Sequence, residues 1–168
     1  FTLADDPHSL TLDELSAAVQ KRAPAYDKDR EEHYNLISAL HKSIRGSDPD
    51  AALYWFARML EGGEDPLFLA RRLIRMASED IGLADATSLM VCGEAARTYE
   101  RLGSPEGELA LAHAVIHLAT APKSNAAYLA YKAARRAAAD TGSRMPPKHI
   151  LNSPTAMLKD QGYGAEYQ

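Results

Sequence analysis

The sequence has little of what disulfide-rich, membrane-spanning or nucleotide-binding domains depend on. A single cysteine, Cys92, excludes an intramolecular disulfide framework and any metal site built from several cysteines. No apolar run approaches the roughly 18 residues of a membrane span. No basic stretch followed by an apolar stretch indicates a signal peptide, and the phosphate-loop pattern GxxxxGK followed by Ser or Thr is absent. We therefore expect no membrane association, and the lone cysteine fits a reducing compartment.

Charge of one sign and β-branched residues are also scarce. Nineteen basic and 23 acidic residues leave a formal charge of −4, which excludes both a strongly basic nucleic-acid wrapper and an acidic disordered tail. Val, Ile and Thr together number 16, whereas Ala alone numbers 30. Because alanine favours helices and β-branched residues favour strands, the composition predicts an all-α fold. A length of 168 residues fits one domain, or one domain with an appended segment. The start at Phe1 rather than Met is what we expect of a piece of a longer protein.

Helix start and stop signals divide the chain into about eight helices joined by short turns. A capping residue followed by proline recurs at Asp48-Pro49, Asp65-Pro66, Ser104-Pro105 and Ser153-Pro154. Glycines close most of the predicted helices. We predict helices over about 11–21, 29–45, 49–60, 66–80, 86–102, 105–120 and 125–141, and a short last helix from 154 to 162.

Few side chains are placed for catalysis. His113 and His117 have a metal-compatible spacing of four, but neither has an acidic residue one turn away, so we favour a structural pair. Ser78-Glu79-Asp80, with Asp85 nearby, suggests a cation site, an acid-base pair or, as we favour, acids that cap and shape a turn between two helices. Cys92 lies between Val91 and Gly93 in a predicted helix and is interpreted as a small core residue. We expect no catalytic residue and no metal site in this chain.

Two basic clusters have two interpretations. Arg71, Arg72 and Arg75 form one, and Lys132, Arg135 and Arg136 form the other. Each could contact phosphates, or each could be a solvated helix face, which we favour because the chain is acidic overall. We expect no aromatic platform for single strands beside these clusters.

The run Tyr54-Trp55-Phe56 is unusual, since aromatic residues make up only 7% of the chain. Three consecutive side chains of a helix point in different directions, so at least one must leave the main apolar face. Aromatic residues are favoured at the centres of interfaces. The three are therefore candidate interface residues, and a wide buried face inside one domain is the competing interpretation.

Several long words of the sequence resemble one family. They cover roughly residues 26–167, in order: HYNLISALHKS at 33–43, RGS at 45–47, DAALYW at 50–55, DPL at 65–67, ARR at 70–72, ASEDIG at 77–82, EGE at 106–108, APKSN at 121–125 and GYG at 162–164. Through these words the chain resembles the MgsA/RarA family, AAA+ ATPases associated with replication and recombination and similar to the Werner-helicase-interacting protein.

The resemblance implies an organisation and a fold. It implies that residues 1–25 are a connector from the lid domain of an ATPase core that this chain lacks. Residues 26–168 would be a helical C-terminal domain, similar to the collar domains of clamp-loader subunits. No Walker A, Walker B or arginine-finger motif can be carried over, so the chain itself is expected not to be an enzyme. The full-length parent would be a DNA-dependent ATPase that binds ATP and Mg in its core, and we expect no cofactor in this chain.

The resemblance also implies partners. The expected function is homotetramerisation of an ATPase involved in replication-fork maintenance, recombination and DNA repair. Expected partners are a second copy of the chain, DNA at forks or junctions through the full-length protein, and single-strand-binding protein. Localisation is expected to be cytoplasmic and nucleoid-associated in a bacterium. The alternative is direct contact with fork or junction DNA, with five candidate residues: Lys42, Arg45, Arg71, Arg72 and Arg75.

Overall fold

The regular structure of this chain is helical, as the composition predicted. A computed structural model describes residues 30–152, 155–161 and 163, and no strand occurs among them. Six α-helices have 11 to 16 residues: α1 (Arg30–Arg45), α2 (Pro49–Glu61), α3 (Pro66–Met76), α4 (Thr87–Leu102), α5 (Glu108–Thr120) and α6 (Ala126–Thr141). A five-residue helix, α7 (Ala156–Asp160), follows. A π-helical segment, Ala77–Ile81, continues α3, and 3₁₀ turns occupy Gly82–Ala84 and Lys148–Ile150.

Capping residues begin two helices where the sequence predicted. The Asp48 carboxylate accepts the Ala51 amide at 2.9 Å, and the Asp65 carboxylate accepts the amides of Leu67 and Phe68 at 2.9 and 3.1 Å. These bonds satisfy amides that have no partner inside the helix. The predicted start at Pro105 is wrong by three residues. There the Gly107 amide donates to the Gly103 carbonyl at 2.6 Å, so the chain turns before α5 begins at Glu108.

Two compact units make up the chain, Phe1–Leu129 and Ala130–Gln168. In the first unit, α5 is the central helix and contacts α1, α2, α3 and α4. Its buried side chains are Leu111, Ala114, Val115, Leu118 and Ala119. Helix α5 is apolar around most of its circumference, so it carries more apolar residues than its buried face uses.

Helix α1 contributes an edge of the same core. Leu36, Ile37, Leu40 and Ile44 are buried, so the predicted apolar stripe is confirmed. The helix predicted over 11–21, the connector predicted over 1–25 and the start signal Ser153-Pro154 lie outside the described residues. The domain division at residues 25 and 26 therefore stays a prediction.

The second unit begins within α6, and every residue from 130 to 150 is exposed. None of the helices that the structure describes is long and apolar enough to cross a membrane.

Candidate functional site

Asp80 lies at a buried polar site of the first unit where two helical elements and a loop meet. It belongs to the π-helical segment and is only 5% exposed. His41 Nε2 lies 2.5 Å from its Oδ2, and Arg45 Nε donates to its Oδ1 at 2.8 Å. His41 and Arg45 are four residues apart on α1, so both side chains lie on one face of that helix and bind the same buried carboxylate. A buried carboxylate requires such partners, because leaving it unpaired would carry a large desolvation cost.

The segment before α6 closes against the same place. The Ser124 amide donates to the Asp80 carbonyl at 2.7 Å. Lys123 Nζ donates to the carbonyls of Ala119 and Ala121 at 3.0 and 2.6 Å and to Ser47 Oγ at 3.1 Å. Burial lowers the pKa of Lys123, and the charge of Asp80 acts in the opposite direction. These three bonds use all the donors of the ammonium group.

Gly82 permits the close approach of these two segments. Its φ is +53°, and a Cβ atom there would lie 3.1 Å from the Ser124 carbonyl oxygen. A larger residue would be strained by its backbone and would push residue 124 away. The positive φ and the contact give a physical reason for glycine at the end of the word ASEDIG.

A cleft of about 410 Å³ opens between these segments. Its lining residues are Arg45, Glu79, Asp80, Lys123, Ser124, Asn125 and Tyr128. Two basic and two acidic side chains balance, and the Lys123 ammonium is already fully bonded, so the cleft presents no strong charge of either sign. Four words of the family resemblance meet here, those at 33–43, 45–47, 77–82 and 121–125. We interpret the role of the Asp80 cleft as structural: it holds α1, the π-helical segment and the segment before α6 together.

A second polar cluster gathers Asp85, Ser88 and His117. The Asp85 carboxylate accepts Thr87 Oγ1 at 2.6 Å and Ser88 Oγ at 2.7 Å, and it lies 2.9 Å from His117 Nε2. The hydrogen bonds from Thr87, then Ser88, hold the pKa of Asp85 well below its usual range. His117 is thus satisfied by neighbours, which confirms the structural interpretation of that residue, while His113 is exposed.

The residue types of this cluster are those of a hydrolase triad, but the geometry is not. Ser88 Oγ lies 3.1 Å from His117 Nε2, the same nitrogen that contacts Asp85. In a triad the acid holds the opposite ring nitrogen, which fixes the tautomer. Ser88 is also 0% exposed, so its hydroxyl meets no substrate. The cluster fastens the start of α4 to the end of α5.

Metal and thiol chemistry find no support in the part of the chain that is described. No group of three or more His, Cys, Asp or Glu side chains among the described residues could hold a metal ion. Cys92 is 1% exposed, and burial raises its pKa to about 12. The interpretation of Cys92 as a core residue is confirmed.

The acids predicted to shape a turn form separate ion pairs. Glu79 accepts Arg75 Nε at 2.9 Å, and this bond raises the pKa of Arg75. Glu79 thus pairs within its own helical stretch, whereas Asp80 binds α1 and Asp85 binds α5. Sequence reasoning missed the link from His41 and Arg45 to Asp80. Their spacing of four on one helix was the available signal.

The five predicted DNA contacts lie on two helices, Lys42 and Arg45 on α1 and the three others on α3. Lys42 is exposed. Arg45 and Arg75 are engaged by Asp80 and Glu79, and Arg71 lies 3.4 Å from Asp65. Arg72 is half-buried, and its Nε is a buried donor without a hydrogen-bond partner. Acidic neighbours therefore neutralise three of the five.

The three consecutive aromatic residues of α2 separate as predicted. Phe56 is buried in the core, Trp55 packs partly buried against it, and Tyr54 is 58% exposed. The rings of Tyr54 and Trp55 meet edge to face at 5.0 Å. At least one ring does leave the buried face. Because Phe56 presents no surface, the interface prediction is confined to Tyr54 and Trp55.

Helices α4 and α5 carry exposed apolar side chains that sequence reasoning missed. The two helices pack against each other. Five large apolar side chains on them are 40–77% exposed: Leu89, Met90, Leu102, Leu109 and Ile116. We call these five residues the α4–α5 apolar surface. Leu109 and Ile116 are seven residues apart and share one face of α5. The signal was the composition of α5, which has more apolar residues than one buried stripe uses.

Comparison with known proteins places the chain. Residues 46–168 match the family model described as MgsA AAA+ ATPase C terminal, and residues 2–45 match one described as AAA C-terminal domain. The chain belongs to the MgsA/RarA family of AAA+ ATPases. This confirms the resemblance, and the chain corresponds to the C-terminal region of that family.

Individual MgsA/RarA relatives agree. The chain is 54% identical over 85% of its length to replication-associated recombination protein A of Coxiella burnetii, and 47% identical over 92% to the Escherichia coli protein of that name. It is 44% identical over 95% of its length to ATPase WRNIP1 of Dictyostelium discoideum. It spans 32%, 34% and 18% of these relatives, respectively.

The boundary between the two family matches falls beside the Asp80 cleft. Helix α1 ends at Arg45, the last residue of one match, and its side chains are buried against residues of the other. In this RarA-family chain the two matched segments therefore share one hydrophobic core.

Proposed function

We propose that this chain is the self-association domain of a RarA-type AAA+ ATPase and that it forms a homotetramer. The observation that carries the proposal is the α4–α5 apolar surface. Five large apolar side chains remain exposed on two adjacent helices, although the first unit already has a well-buried core. Large exposed apolar surface of this kind is typical of protein–protein interaction sites.

Self-association explains what a helical domain contributes when its described residues assemble no catalytic site. Linking several ATPase modules raises their local concentration, so DNA contacts by different subunits add. ATP and Mg would bind in the ATPase core, which is also where catalysis would take place. The names of the relatives support a role in replication-associated recombination. A cytoplasmic, nucleoid-associated protein that works with single-strand-binding protein is consistent with that role and is part of the proposal.

Light scattering coupled to size exclusion tests self-association. We expect a species of roughly 73 kDa, four times the 18.3 kDa of one chain. The double variant Met90→Glu, Leu109→Glu places charges on both helices of the surface and should reduce the assembly to smaller species. Tyr54→Glu tests the aromatic candidate in the same way.

A matched control comes from an apolar residue outside α4 and α5. Leu83 is 86% exposed in a 3₁₀ turn, so Leu83→Glu should leave the assembly intact. Two results would contradict the proposal. One is a wild-type chain that is monomeric at every concentration, and the other is a double variant Met90→Glu, Leu109→Glu that assembles as wild type does.

Direct DNA contact through Lys42, Arg45, Arg71, Arg72 and Arg75 is less favoured, because acidic partners engage three of these arginines. A titration with a single-strand/duplex junction separates the two functions. Binding at low salt that is lost in Arg71→Ala, Arg75→Ala would support contact at this cluster.

A further inference from the structure

The two units of the chain carry opposite charge. Residues 130–168 contain six basic and three acidic side chains, a formal charge of +3, whereas residues 1–129 contain 13 and 20, a charge of −7. Such asymmetry is hidden in the overall charge of −4 and indicates a partner of negative charge for the second unit. The basic side chains of that unit lie mainly over residues 132–148, with one acid, Asp140, among them.

The part of α6 in the second unit presents these charges beside an aromatic ring. Tyr131, Lys132, Arg135 and Arg136 are all exposed, and we call them the α6 basic face. Spacings of three and four residues put Lys132 next to both arginines. The Arg135 guanidinium lies 6.0 Å from the centre of the Tyr131 ring, and Tyr131 is 67% exposed. Arg136 Nε lies 3.8 Å from the Asp140 carboxylate, a loose ion pair between two exposed side chains.

A second cation–aromatic contact occurs in the same unit. Lys148 Nζ lies 5.5 Å from the centre of the Tyr163 ring. By contrast, Arg71 and Arg75 of α3 are paired with acids. Cations placed on aromatic rings, rather than on carboxylates, keep their charge available to an external anion.

We propose that the α6 basic face binds single-stranded nucleic acid. The cations supply contacts to successive phosphates, and the exposed Tyr131 ring supplies a surface on which an unpaired base stacks. In a duplex the bases are already stacked on one another, so the ring favours a single strand. An acidic protein surface would satisfy the charges but would leave the exposed ring unused. The proposal does not depend on self-association of the first unit.

Fluorescence anisotropy with a labelled oligo-dT of about 20 nucleotides tests the proposal on the whole chain. We expect binding at low salt, with a slope of log affinity against log salt near about −2 for three phosphate contacts. Lys132→Ala, Arg135→Ala should weaken binding and reduce the size of that slope by about 1.4. Tyr131→Ala should weaken binding roughly tenfold, while Tyr131→Phe should retain it.

Arg71→Ala, Arg75→Ala is the matched control, because it removes two cations from one exposed helical stretch of the first unit. It should leave oligo-dT binding unchanged. Light scattering of every variant keeps this test separate from that of self-association. Photo-crosslinking of an iodouracil-substituted oligonucleotide to the wild-type chain locates the contact without any substitution, and we expect crosslinked peptides from residues 130–148.

Four results would overturn the proposal. They are no oligo-dT binding at low salt, equal binding in the α6 variants, binding of blunt duplex as tight as that of oligo-dT, and crosslinks confined to the first unit. A change in assembly in Lys132→Ala, Arg135→Ala without any change in oligo-dT binding would assign the face to an acidic protein surface instead.

Discussion

At the scale of single residues, Asp80 links its π-helical segment to α1 and to the segment before α6. Its carboxylate binds His41 and Arg45 of α1, and its carbonyl accepts the Ser124 amide. Asp80→Ala would leave the half-buried His41 and the exposed Arg45 without their partner, and α1 would lose its polar attachment. We expect the free energy of unfolding to fall by about 2–4 kcal/mol, measured by urea denaturation.

The neighbouring acid provides the control for Asp80. Glu79 pairs with Arg75, whose side chain is 61% exposed. Exposed pairs contribute little, so Glu79→Gln should cost less than about 1 kcal/mol. Equal losses of unfolding free energy in the two variants would show that Asp80 acts as an ordinary surface charge and that the cleft does not hold these elements together.

Asp85 gives a residue-scale prediction with a pH dependence. Folding lowers the pKa of this carboxyl group through bonds from Thr87 and Ser88. A lowered pKa stabilises the fold above the ordinary aspartate value of about 3.9, and this contribution decreases as the pH falls below that value. Asp85→Asn should therefore be less stable than wild type at pH 7, and the difference should narrow at about pH 3.

Urea denaturation of both chains across this pH range measures that difference. Glu94→Gln is the control, since Glu94 forms an exposed pair with Arg97 on the same helix. The difference in free energy of unfolding between Glu94→Gln and wild type should be small at both ends of this pH range. A difference between Asp85→Asn and wild type that stays constant from pH 7 to pH 3 would contradict the assignment.

At the scale of elements, local sequence predicted what local interactions determine. Asp48 and Asp65 begin α2 and α3 because their side chains bond amides two or three residues away. The π-helical segment was predicted only as more helix. Its geometry is held by His41 and Arg45, 35 and more residues away, and no pattern within residues 77–81 reports those contacts.

Two glycines allow a matched test of packing between elements. A Cβ atom on Gly107 would lie 2.7 Å from the Gly103 carbonyl oxygen and 2.8 Å from Tyr99 Cα, both backbone atoms. Gly107→Ala must therefore move the connection between α4 and α5, at a cost of about 1–3 kcal/mol. Gly93 lies within α4, and the nearest atom to a Cβ placed there would be Nη1 of the Arg97 side chain, at 4.0 Å.

Gly93→Ala should raise the stability by about 0.5–1 kcal/mol, because alanine loses less backbone entropy in a helix. Thermal unfolding followed by circular dichroism measures both glycine variants. The same substitution should therefore lower the stability at Gly107 and raise it at Gly93. If Gly107→Ala were as stable as wild type, the short approach before α5 would not be a tight packing contact.

At the scale of the whole molecule, the fold class followed from composition, whereas the candidate surfaces did not. The apolar stripe of α1 was visible in the spacing of its residues. The α4–α5 apolar surface was not, since a sequence does not show which of two apolar faces a central helix leaves uncovered. Tyr131 lies at helical spacing from Arg135 and beside Lys132, but the net acidic charge of the whole chain hides the basic character of this segment.

The different chemistry of these two surfaces predicts different responses to salt. Apolar contacts are not screened by ions, so the assembly should persist at about 0.5 M salt. Three phosphate contacts to a single strand give a salt slope near about −2, so a tenfold rise in salt concentration should weaken oligo-dT binding about 100-fold. Light scattering and anisotropy on the same samples measure the two responses. Assembly that dissociates in parallel with oligo-dT release would mean that the basic unit of one copy holds the acidic unit of another, because only charge contacts are screened together.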